Sequence, residues 1–315
     1  MSTFEGTLHE GPNGDQVLGL VSDNITDIVV TPQGNLWLAT APHERFEKPP
    51  VSELPAEWTK VHGGISFLDT RGTAGTADDV WTPTSCETMQ VTVTCEVQTL
   101  ALDHGGLMWA AIHGRGVMYW PVGETRIIDE ASRVFALPTG PADDYVDAIA
   151  FGPADDPALA DTVWLGRRKG GLSVLDHKGT ARRSDDDEWE FGRGEPLTTA
   201  DGLAADRVQT VIVATGTAWL GTGPDNGLAG GVSRLDIAAL AFGAPLVTTN
   251  APPTNFLTSV AFGEPGTRWA GHVWLGTGSR VQRRFGAGAV DLDTHGTTTR
   301  IDDAWTRYTA LTTDP

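Results

Sequence analysis

Three segments repeat one acidic pattern: Leu-Asp, two residues, Gly-Thr, four residues, Asp-Asp, then a Trp one or two residues on. They are LDTRGTAGTADDVW (68–81), LDHKGTARRSDDDEW (175–189) and LDTHGTTTRIDDAW (292–305). Calcium takes about six to eight oxygen ligands, and Asp69, Asp78 and Asp79 with loop carbonyls would supply several of them. The spacing departs from the EF-hand loop, D-x-[DN]-x-[DN]-G-x5-E. The same residue types also build an Asx-type hairpin turn, in which Asp accepts backbone N–H groups and Gly takes a positive φ. The turn is the preferred reading, and calcium is the only cofactor the sequence suggests.

Two further acids, Asp27 and Asp147, stand in otherwise apolar segments, ITDIVV and VDAIAF. Paired carboxylates can serve a glycosidase as acid and base. A hydrolase or lyase acting on carbohydrate or an ester is therefore the alternative reading. Cations group elsewhere: His113 with Arg115; Arg167, Arg168 and Lys169; Arg280, Arg283 and Arg284. Arginine binds carboxylates and other oxyanions through a bidentate fork. These side chains are candidate contacts for an anionic ligand, an acidic glycan or a protein surface. The segment APHERFEKPPVSELPAEWTK (41–60) reads as a long loop on which Phe46, Pro49-Pro50 and Trp58 could meet a partner.

Several chemistries lack their signatures. The eight histidines form no HExxH or HxH pair, and there is no GxSxG elbow, Walker loop or dinucleotide fingerprint. Cys86 and Cys95 bracket the strand-like CETMQVTVTC. A disulfide closing a small hairpin, with the oxidising compartment it requires, is preferred over two free thiols. The net charge of -19 argues against nucleic acid as a partner.

The elements that carry these residues are short strands. The chain has 315 residues with 38 Gly, 19 Pro and 11 Trp, and no long helical periodicity, which points to an all-β protein rich in turns. No apolar run approaches the ~20 residues of a membrane helix. The start, MSTFEGTLHEG, lacks the basic and apolar regions of a signal peptide. Five segments pair an apolar strand with a Trp-centred one, and Trp37, Trp109, Trp164, Trp219 and Trp274 mark them at intervals of 72, 55, 55 and 55. A third strand follows each, as in GGISFLD (63–69) and GGVSRLD (230–236), and a fourth is expected at VWTPT (80–84), VFALP (134–138), EWEFG (188–192), PLVTT (245–249) and AWTRYT (304–309). A sheet of this size cannot bury both faces alone. Radial stacking of five such sheets gives a β-propeller, with blades near 25–84, 97–138, 146–192, 208–249 and 257–309. Residues 1–24 are expected to close the ring, with Thr3–Leu8 as an added outer strand.

The repeat resembles the two-component-regulator propeller family. The residues that carry the likeness are GLVSDNITDIVVTPQGNLWLAT (19–40) and GLAADRVQTVIVATGTAWLGT (202–222). That family builds periplasmic or extracellular sensor regions of bacterial hybrid histidine kinases and occurs in other surface proteins. The resemblance implies a propeller and no catalytic residues. A fainter likeness links DHGGLMW (103–109) to the Asp-box of sialidase-type propellers. The expectation is a non-enzymatic binding module, extracellular, cell-surface or periplasmic. Its protein or glycan ligand would sit on the face carrying the loops between strands two and three.

Overall fold

The computed structural model describes residues 8–10, 16–22, 24–47, 57–74, 78–85, 96–123, 133–135, 145–180, 185–189, 191, 195–214, 216–224, 230–246, 257–263, 266–277, 289–294 and 304–308. Five four-stranded antiparallel sheets in up-and-down order make up most of them. Blade 1 comprises Asn24–Val30, Leu36–Ala41, Gly64–Asp69 and Val80–Ser85. Blade 2 comprises Val97–Leu102, Leu107–Ile112, Gly116–Pro121 and Arg133–Phe135. Blade 3 comprises Val146–Phe151, Thr162–Arg167, Leu172–Asp176 and Glu188–Trp189. Blade 4 comprises Val208–Ala214, Thr217–Thr222, Gly231–Asp236 and Ala241–Phe242. Blade 5 comprises Leu257–Phe262, His272–Thr277, Ala289–Asp293 and Ala304–Tyr308.

The chain divides into two compact units, residues 1–140 with blades 1 and 2, and residues 141–315 with blades 3 to 5. In the first unit, Trp37, Ile65 and Phe67 of blade 1 share a core with Leu100, Met108, Ile112 and Trp120 of blade 2. The Trp37 ring lies 4.6 Å from that of Phe67 and 5.3 Å from that of Trp120. In the second unit, Trp164 and Val174 of blade 3 join Val208, Val211 and Leu220 of blade 4, and Trp219 of blade 4 joins Leu257, Val273 and Leu275 of blade 5. The indoles therefore supply apolar bulk between successive sheets within each unit. The glycine that follows Trp-Leu is set by close approach rather than by a turn. A Cβ on Gly166 would lie 2.9 Å from the Val208 carbonyl oxygen, and one on Gly221 would lie 2.9 Å from Leu257 Cβ.

All five innermost strands carry a register shift at the same place. The ladder passes from Ile25 to Asp27, Val97 to Thr99, Val146 to Ala148, Val208 to Thr210 and Leu257 to Ser259. The residues stepped over are Thr26, Gln98, Asp147, Gln209 and Thr258, all polar. A one-residue bulge bends the strand and re-aims that side chain.

Three expectations change. The fourth strand of blade 4 is Ala241–Phe242 rather than 245–249. Asp236 accepts the Ala239 N–H in a tight turn that returns the chain at once, and Leu246 makes only an isolated bridge to Val232. The insertion at 41–60 contains an antiparallel ribbon, His43–Glu47 with Glu57–Val61, in which Phe46 and Trp58 are Cα partners. Leu8–Glu10 pairs with Gln16–Leu18 in a two-stranded ribbon, while residues 3–7 of the expected outer strand lie outside the described residues.

Candidate functional site

The acidic repeat forms the turn between strands three and four, and two copies are built alike. In blade 1, Asp69 Oδ1 accepts the Arg71 N–H at 3.0 Å, and its Oδ2 lies 3.2 Å from Arg71 Nε. In blade 3, Asp176 Oδ1 accepts the Lys178 N–H at 2.9 Å, and its Oδ2 binds Lys178 Nζ. Arg71 and Lys178 both have φ of 53°. The Gly that follows each is left-handed too, Gly72 at 66° and Gly179 at 69°. The Thr hydroxyl then reaches the second half of the motif: Thr73 donates to Asp78 Oδ1 at 2.9 Å and Thr180 to Asp186 Oδ1 at 3.0 Å. The hydrogen bonds that Lys178 Nζ donates to Asp176 and then to Glu188 raise the Lys178 pKa above its ordinary value.

Asp69 and Asp78 thus hold the turn itself. Asp79 Oδ1 is buried and takes no hydrogen bond. Among the described residues, no group of three or more His, Cys, Asp or Glu is arranged to hold a metal ion.

The two inner-strand acids hold different positions. Asp27 is the first residue after the bulge, and Asp147 is the bulge itself. Asp27 Oδ1 accepts the Ile28 N–H, while Oδ2 accepts the Thr99 hydroxyl at 2.6 Å and the Leu100 N–H at 2.9 Å, tying blade 1 to blade 2. Asp147 meets two guanidiniums. Arg168 Nη2 donates to its Oδ1 at 2.7 Å and Arg168 Nε lies 3.2 Å from the same oxygen. Arg207 Nε, from the segment leading into blade 4, stands 3.8 Å from Oδ2. The Asp147 side chain is 9% exposed and that of Arg168 27%. Arg168 also lies over the ring of Tyr145, 5.7 Å from its centroid.

The other candidates are dispersed. Arg167 is fully buried, its guanidinium against Gly170, so it contributes no exposed group to a rim. The reason is positional: it ends strand two, where Thr40, Thr222 and Thr277 are also buried. Lys169 is exposed on the following turn. In the first unit, His113 Nδ1 lies 3.1 Å from Glu96 Oε2, and Arg115 is half-buried. Arg280, Arg283, Arg284, Cys86 and Cys95 lie outside the described residues, as does the Trp58 side chain. The resemblance of DHGGLMW to an Asp-box resolves into a structural role, because Asp103 accepts the Leu107 N–H and the Trp109 indole N–H. Tyr145, Arg207 and Gln209 escaped the sequence reading. The recurring polar residue at the bulge marks Gln209, whereas Tyr145 and Arg207 each stand one residue before an innermost strand, outside that signal.

Residues 19–41 match the family model described as Two component regulator propeller. That stretch is one copy of the repeat, and it spans the entry to blade 1 and its first two strands. Solved structures agree at the level of fold. The extracellular domain of the hybrid two component system BT3049 from B. thetaiotaomicron aligns over 93% of this chain and 31% of its own, with 14% identity and a TM-score of 0.57. The corresponding domain of BT4673 from the same organism aligns over 95% and 38%, with 12% identity and a TM-score of 0.50. PorZ, a surface component of the type-IX secretion system of Porphyromonas gingivalis, aligns over 87% and 33%, with 13% identity and a TM-score of 0.50. The chain thus spans about a third of the length of these structures. No curated protein matches it. The fold class is all-β, made of β-propeller blades, and no described helix is long and apolar enough to cross a membrane.

Proposed function

We propose that the chain is a non-enzymatic, extracytoplasmic binding module. Its ligand contacts come from the ends of the innermost strands and the turns between strands two and three. The observation that carries this reading is the engagement of both inner-strand acids. Asp27 accepts three hydrogen bonds, one oxygen serving two donors, and Asp147 is held by Arg168 with Arg207 alongside. A catalytic acid or base must reach the reacting oxygen or water directly, and these two carboxylates are turned onto the protein's own donors. The extracellular setting is supported by the two aligned sensor domains, both described as extracellular.

Assays on neutral and acidic oligosaccharides and on short esters test the reading, run beside glycan and peptide arrays. Saturable binding without turnover is expected. Turnover abolished by Asp147→Asn or Asp27→Asn would establish the hydrolase instead.

A further inference from the structure

We draw no further inference here: the strongest candidate, the apolar patch that Ile25, Ile28 and Val30 expose on the innermost strand of blade 1, carries nothing because nothing in the structure shows what covers it.

Discussion

Asp103 shows how one buried acid organises a hairpin. It receives the Leu107 N–H at 2.8 Å and the Trp109 indole N–H at 2.9 Å, and is only 9% exposed. Asp103→Ala leaves two buried donors unmatched and is expected to cost about 2–4 kcal/mol in urea unfolding, with Asp103→Asn in between. Gly221 makes the complementary case. A Cβ there would lie 2.5 Å from Thr210 Cγ2 and 2.9 Å from Leu257 Cβ, so Gly221→Ala should cost about 1–3 kcal/mol through overpacking between blades 4 and 5. At Gly72 nothing lies within 4 Å, and its φ of 66° leaves only backbone strain, about 1 kcal/mol for Gly72→Ala. Equilibrium unfolding of the three variants ranks them. This contrast was half legible. Gly72 recurs in the acidic repeat and Gly221 follows Trp-Leu in the second strand, but only coordinates separate a glycine crowded by the next sheet from one that turns the chain. Asp27 and Asp147 likewise look equivalent in sequence, because a one-residue bulge has no signature that places one acid in the ladder and the other outside it.

At the scale of the element, the turn between strands three and four is a repeated device. Its Asp, Gly and Thr were readable because each serves a local bond, and local bonds leave fixed spacings. The partner of the Thr was not. The spacing suggests Asp185 in blade 3, whereas Thr180 bonds Asp186, one residue later. The two bonds that bind the halves of this turn make a testable unit. Thr180→Val removes the hydroxyl from Asp186 and should destabilise the chain by about 1 kcal/mol. Because Asp69, Asp78, Asp176 and Asp186 are engaged within the turns, millimolar calcium against chelator should move the melting temperature by less than about 2 °C, the shift a fraction of a kcal/mol produces in a chain of this length. A clear rise with calcium would show that the carboxylates prefer the ion to their Thr and backbone partners. Lys178 adds a pH dependence of known sign. Its pKa is raised, so its ion-pair contribution is complete below its ordinary value of 10.5 and is lost as pH climbs through the raised one. Lys178→Met should lessen the alkaline loss of stability.

For the whole molecule, 41 acidic residues against 22 Lys and Arg set the electrostatics. At that imbalance like charges repel on average, and folding concentrates them. Salt shortens the reach of the repulsion to about 8 Å at physiological ionic strength. The favourable pairs are fewer and differently placed. Arg168–Asp147 is largely shielded by protein, with Asp147 9% exposed, so salt weakens it little, whereas Arg71–Asp69 and Lys178–Glu188 stand at the surface. The balance predicts that adding sodium chloride raises the melting temperature, with most of the gain at low ionic strength. A fall would mean that surface pairs outweigh the net repulsion. The same calorimetric trace bears on the organisation of the five blades. We propose that residues 1–315 form one propeller, which requires a single transition whose van't Hoff and calorimetric enthalpies agree. Two resolved transitions, dividing as residues 1–140 and 141–315 divide, would make each unit its own folding domain. The sequence period could not decide this, because a repeat identifies the sheet and its neighbour contacts, while cooperativity depends on the total area that all the sheets bury together.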